Sequence, residues 1–305
     1  MTRAPRDQAR PDAERAASAS EREGSFSGAG NVRIHWRAWL PEAEPRAVVV
    51  IAHGASEHAG RYGHVAARLL AEGYAAYAIE HRGHGHSEGR RAVIDRMANA
   101  VADLDSLVVL AAAEHPGAPV FLLGHSMGGT IAVSYAIRHQ ARLSGLILSG
   151  PLAALEAAPA PMRLMSKILS AIAPGMGLIE IDPSLVSRDP DVVAAYVADP
   201  LVYHGKLPVR TVAELAIAID SFPQAAQGIT VPTLIMYGTA DRLCPPRGSV
   251  MLSERIGSAD KTITPYQGLY HEILNEPEQD RVLDEICGWL AAHTPVAAPA
   301  AQPAY

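Results

Sequence analysis

Short apolar runs without polar alternation recur along this chain, separated by longer amphipathic stretches. AVVVIAHGA, YAAYAIE, VFLLG, LSGLILSGP and TLIMYG are rich in Val, Ile, Leu and Ala. Such runs read as strands covered on both faces. VRIHWRAWL alternates instead and reads as an edge strand. Between the runs, HVAARLLAEG is an amphipathic helix closed by Gly73, and a long helix is expected from about Val93 to Glu114, stopped by Pro116 and Gly117. Further helices are expected over TIAVSYAIRH, near Arg247 to Ile256, and over PEQDRVLDEICGWLAAH, with a last strand at KTITPY. Strands alternating with helices imply an α/β protein with a mostly parallel central sheet flanked by helices.

The alternation breaks after LSGLILSGP. Residues 151–228 carry many prolines and a helical pattern with no convincing strand, which implies a helical cap inserted over the strand ends. Within it, Met162, Met165, Ile168, Leu169 and Ile172 share one helical face. That stripe reads as a face packed on the sheet domain, with a lid lining an acyl pocket or touching a lipid surface as the sharper alternative. The α/β core then comprises residues 25–150 and 229–293. Residues 1–24, charge-mixed and without a large apolar residue after Met1, read as a disordered tail with no secretory h-region. The Pro/Ala-rich residues 294–305 read as a second loose tail.

Composition narrows the picture further. The 305 residues are 49% hydrophobic, enough for a sizeable core, and the formal net charge of −6 does not recommend nucleic acid as a partner. Cys244 and Cys287 lie far apart and form neither a disulfide framework nor a zinc motif, which fits a reducing, cytoplasmic setting. No run approaches the roughly 18 apolar residues of a membrane span.

The chemistry concentrates at VFLLGHSMGG, Val120 to Gly129. A buried strand running into Gly124-His125-Ser126-Met127-Gly128 and then a helix is the context of a nucleophile elbow. Ser126 needs a base, and the base an orienting carboxylate. Asp241, in the loop after TLIMYG, fits the acid, and His271, in the loop after KTITPY, fits the base. Asp220 and Asp260 read as surface or capping residues. The oxyanion donors are expected to be the backbone N–H groups of Met127, in the helix's first turn, and Ala55, after strand AVVVIAH. The cluster His53, His58, His81, His84 and His86 is not read as a metal site, because no carboxylate or cysteine partners it at ligand spacing. His81 and His84 are instead expected to hydrogen-bond and stiffen their loop. No metal or cofactor is expected.

HGASEHAGRY, EHRGHGHSEG, GHSMGG, GTADRLCPP and GLYHEILNEPE, in that order, resemble the monoacylglycerol lipases of the α/β-hydrolase superfamily, from about Ser25 to Leu290 and through the cap segment SRDPDVVAAYVADPLVYHG. The resemblance implies an α/β-hydrolase fold, Ser126, Asp241 and His271 as the triad, and Ala55 and Met127 as the oxyanion hole. It also implies an acyl tunnel under the cap, with Glu57, Arg61 and Tyr196 at a polar glycerol end. Glu57 and Arg61 could equally pin their loop. Cys244 falls where some relatives carry a thiol near the site, or is a small loop residue. Ser56 stands where the family usually has Gly, and Glu80 where it usually has Asp.

The function expected on these grounds is cofactor-free cleavage of monoacylglycerol to glycerol and fatty acid. A carboxylesterase or lysophospholipase with the same triad is the alternative. The partner is a lipid ester, and contact with a lipid surface would run through the cap, making the protein peripheral. Ser126→Ala is expected to lower kcat by a factor on the order of 10⁶. A fall of only a few-fold in fatty-acid release would show that the elbow serine is not the nucleophile.

Overall fold

The computed structural model describes residues 20–155 and 169–295. Eight strands form one sheet in the order β1-β2-β4-β3-β5-β6-β9-β10. They are β1 (Ser20–Ser27), β2 (Arg33–Leu40), β3 (Val48–Ala52), β4 (Ala75–Ile79), β5 (Val120–His125), β6 (Gly145–Ser149), β9 (Thr233–Gly238) and β10 (Lys261–Tyr266). β4, β3, β5, β6, β9 and β10 run parallel, while β1 and β2 add on antiparallel.

The uninterrupted apolar runs are explained by helices on both faces. In β3, Val48, Val50 and Ala52 enter one apolar cluster and Val49 and Ile51 the other, as a period of two requires. The first cluster is roofed by α2 (Met97–Glu114), α3 (Met127–His139) and α5 (Val209–Ala225); the second by α1 (Gly63–Ala71) and α7 (Gln279–His293). α4 (Pro190–Ala198) lies in the cap, and α6 (Pro246–Arg255) follows β9.

Four expectations need correction. Residues 20–24, read as tail, belong to β1, which pairs with β2 from Ser20↔Leu40 to Ser27↔Arg33. The Trp36 ring covers Gly24 so closely that a Cβ there would collide with it, and Arg22 pairs with Glu114 at 3.0 Å. The charges that suggested disorder are those of a solvent-facing edge strand, where they discourage pairing with other chains. Consequently β1, and not VRIHWRAWL, is the edge. The stretch expected to be all helical also contains a small antiparallel pair, β7 (Gly177–Ile179) with β8 (Leu207–Pro208). Finally, α2 begins at Met97, not near Val93. Ala92 has φ 57°, and side chains of α5 capture the segment: Thr211 Oγ1 accepts from Ile94 N at 2.9 Å and Glu214 from Met97 N at 2.8 Å.

The stretch between β6 and β9 does not stand apart from the core. Leu215, Ala218, Ile219 and Phe222 of α5 pack in the first cluster with Ile131 of α3. Arg188, before α4, binds the fully buried Glu276 at 2.5 Å and also pairs with Glu278. Met162, Met165 and Ile168 lie outside the described residues. Of the rest of their stripe, Leu169 is partly buried and Ile172 is 73% exposed, so Ile172 does not face the core. Among the described residues no helix is long and apolar enough to cross a membrane.

One buried ion pair ties the β4 end to α2. Arg82 binds Asp103 Oδ2 through Nε at 2.9 Å, Asp95 at 2.8 Å and the Ala29 carbonyl at 2.9 Å. Asp103 Oδ1 accepts from Ala29 N at 2.8 Å. Arg82→Met is expected to cost about 3–5 kcal/mol in urea unfolding, because it strands a buried carboxylate. Adding Asp103→Leu should recover much of that loss.

Candidate active site

β5 delivers Ser126 at its carboxyl end and α3 starts at the next residue. Ser126 has φ 54° and ψ −120°, a strained conformation for a residue with a side chain. The strain is imposed by close packing on both sides. A Cβ on Gly124 would lie 2.6 Å from the Gly128 carbonyl oxygen, and one on Gly128 would strike the Ala52 carbonyl of β3. The serine is thereby pushed out of the sheet into a cavity of about 140 Å³.

His271, after β10, lines that cavity, and Asp241, after β9, stands behind it. Asp241 Oδ1 accepts from the backbone N–H groups of Leu243 and Cys244 at 2.9 and 2.8 Å, so its other oxygen is aimed. That oxygen bonds His271 Nδ1 at 2.8 Å, leaving Nε2 toward the serine. Cys244 Sγ lies 3.7 Å from Ser126 Oγ and 3.9 Å from His271 Nε2. Among the described residues Ser126 and His271 share no direct hydrogen bond; the thiol sits between them. Contacts of this kind commonly tighten only with substrate bound. Burial disfavours the charged imidazole of His271, but the Cys244 sulfur and the Asp241 carboxylate outweigh it and raise its pKa well above the usual 6.5.

Met127 opens α3, where first-turn N–H groups have no intrahelical acceptor. Ala55 lines the cavity beside Ser126. Its loop is held by Glu57, whose Oε1 accepts from Gly54 N and from Tyr62 Oη, the latter at 2.8 Å. Ser56 has φ 67° and a buried hydroxyl without a hydrogen-bond partner. The position therefore suits the glycine that the resemblance leads one to expect.

Glu57, Arg61 and Tyr196 are brought together around Arg61, and the sequence reading missed a fourth residue, Glu272, that binds Arg61. Glu272, next to His271, grips Arg61 through two bonds of 2.7 and 2.8 Å, and Arg61 also binds Glu57 at 2.9 Å. The Arg61 guanidinium lies 4.9 Å from the Tyr196 ring centroid. Burial would raise the Glu57 pKa, but Arg61, helped by His125, His53 and Tyr62, holds it at about 2. Glu57, Tyr196 and Glu272 line the Ser126 cavity, while Arg61 lines a smaller one behind it. The only signal for Glu272 was its adjacency to His271. His84 Nδ1 bonds the Arg82 carbonyl at 3.0 Å, as expected of a loop-stiffening residue. His81 stiffens the loop through its backbone alone: its N–H donates to His53 Nε2 at 3.0 Å and its carbonyl accepts from His84 N at 2.9 Å, while both its ring nitrogens are buried without a partner.

A strained serine between strand and helix, with a carboxylate–imidazole pair on later strands of the same parallel sheet, defines a serine hydrolase of the α/β-hydrolase class. Residues 43–278 match the family model described as serine aminopeptidase, S33. The chain is 46% identical over 277 residues to a monoacylglycerol lipase of Mycolicibacterium smegmatis, covering 90% of this chain and 99% of the relative. It is 38% identical over 271 residues to the monoglyceride lipase of Homo sapiens, covering 88% and 89%. The crystal structure of Paleococcus ferrophilus monoacylglycerol lipase superposes with a TM-score of 0.75 at 33% identity, covering 90% of this chain and 99% of that one. The chain belongs to the monoacylglycerol lipase family of serine hydrolases.

A base must be neutral to accept a proton, so raising its pKa moves the acidic limb of the rate profile upward. The acidic limb of kcat/KM is expected to fall above pH 6.5, and Cys244→Ala should lower it. A limb at or below the ordinary histidine value in the unaltered protein contradicts this electrostatic picture.

Proposed function

We propose that this protein hydrolyses monoacylglycerols to glycerol and free fatty acid, with Ser126 as nucleophile, His271 as base and then acid, and Asp241 as the group that orients and stabilises the imidazolium. One observation supports the substrate assignment: the Ser126 cavity joins an apolar lining to a few polar groups. Leu152, Leu155, Ile179, Val186, Leu207 and Leu215 line it together with Glu57, His125, Glu180 and Glu272. One acyl chain joined to a small hydroxylated head matches that mixed lining.

His271 takes the Ser126 proton as Oγ attacks the ester carbonyl, and the imidazolium then protonates the departing glycerol oxygen. The Met127 and Ala55 N–H groups stabilise the oxyanion, each worth about 3 kcal/mol. Water, deprotonated by His271, cleaves the acyl-enzyme and frees Ser126. Glu57, Arg61 and Tyr196 shape the glycerol end, the first two mainly by holding the loop and the His271 segment in register. Residues 151–228 act as a cap that admits lipid from a surface, so the protein works as a peripheral enzyme of the cytoplasm. Ile172, Met176, Leu178, Ile179, Val197 and Ile217, all of this stretch, are six of the eight exposed large hydrophobics among the described residues.

Fatty-acid release from monooleoylglycerol should exceed that from dioleoylglycerol, trioleoylglycerol and lysophosphatidylcholine, and vanish in Ser126→Ala. Turnover of a short aryl ester or an aminoacyl anilide without monoacylglycerol cleavage would keep the serine chemistry and overturn the substrate.

A further inference from the structure

The ground for setting metal aside in the sequence was that no carboxylate or cysteine stood at ligand spacing from the histidines. The sheet supplies one. β2 runs antiparallel to β4, and Glu80 N donates to the His35 carbonyl at 2.9 Å, which places His35 beside Glu80. The loop after β4 then turns back at Gly85, φ 49°, where a Cβ would strike the Glu80 carboxylate, and brings His86 to the same group. His35 Nδ1 lies 3.4 Å and His86 Nδ1 3.3 Å from Glu80 Oε2, and the three donors lie within 4.8 Å of one another.

The two distances from Glu80 suit a small dication. Donors about 2.0–2.1 Å from a tetrahedral zinc stand about 3.3–3.4 Å apart. Two atoms of the cluster are buried and lack a hydrogen-bond partner: His35 Nδ1 and Glu80 Oε1. Glu80 is fully buried. His58 Nδ1 is 4.0 Å from Oε1 and accepts from Gly60 N at 3.2 Å, while Nε2 bonds Asp199 at 2.8 Å. Oε1 thus faces an acceptor, while Oε2 accepts from His86 N. Ser87 holds the frame, accepting from His35 N at 2.8 Å and donating to the Glu80 carbonyl at 2.6 Å. The His86 side chain is 49% exposed and leaves the site open to solvent.

We propose that His35, Glu80 and His86 form a binding site for a zinc-class dication, with water completing the shell. The two imidazoles and one carboxylate select zinc, nickel or copper over calcium or magnesium. The site lies behind the loop that carries Ala55, apart from the hydrolytic residues. A bound ion there braces the β2–β4 edge and the loop over residues 80–88.

The test is calorimetric titration of the chelator-treated full chain with Zn²⁺, beside its thermal unfolding. One ion should bind and raise Tm. His86→Ala should abolish both effects while leaving metal-free ester hydrolysis at the unaltered rate. Asp241, Cys244 and His271 also bring ligand atoms together, so Cys244→Ser is the companion variant and should bind zinc unchanged. Zinc uptake that survives His86→Ala, uptake lost in Cys244→Ser, or no stoichiometric uptake by the unaltered chain each overturns the proposal.

Discussion

The close approach of α3 to β3 is the constraint on which the site depends. Gly128 lies directly against the Ala52 carbonyl, with no room for a Cβ. Because the helix comes that near, the chain must turn between strand and helix within one residue, and Ser126 absorbs the turn at a positive φ. The same approach sets the first-turn N–H groups of α3 beside the loop leaving β3. Strain at one residue thus turns the Ser126 hydroxyl into the cavity, at a cost that packing on both sides of the sheet outweighs.

Around this point the polar groups form chains rather than pairs. Gly54 N, Glu57, Arg61 and Glu272 run in sequence from the loop after β3 to the residue beside His271. Glu272 N in turn donates to the Val186 carbonyl in the cap at 2.8 Å, and the Ser56 carbonyl accepts from Tyr203 N at 2.8 Å. The cap is therefore hydrogen-bonded to both walls of the cavity. Buried charges are costly unless fully partnered, so these side chains couple the positions of the loop, the imidazole and the cap. The two readings of Glu57 and Arg61, loop anchors or pocket lining, are not exclusive here.

Cys244 gives the site a second character. Its backbone N–H helps to aim Asp241, while its sulfur lies against both Ser126 and His271. Its polarisable thiol lies within 3.9 Å of both the hydroxyl and the imidazole. It also raises the basicity of His271.

The sequence by itself determined the sheet and the turn at Ser126 between strand and helix. Those features are local: uninterrupted apolar runs report burial on both faces, and Gly-x-Ser-x-Gly between strand and helix reports a turn without room for side chains. Asp241 and His271 were legible because each follows a strand directly. Tertiary structure alone decided what depends on pairing across distance. Ser20–Gly24 looks like a charged tail until β2 offers it an edge, and the β7–β8 pair is too short to show periodicity. Thr211 and Glu214 delay the start of α2 from more than a hundred residues away. Glu272 lay inside the GLYHEILNEPE motif without a role, and His35 in no motif; their partners, Arg61 and Glu80, reach them only when the sheet and its loops fold. Hydrophobic period is written along the chain, but the meeting of charges is written across it.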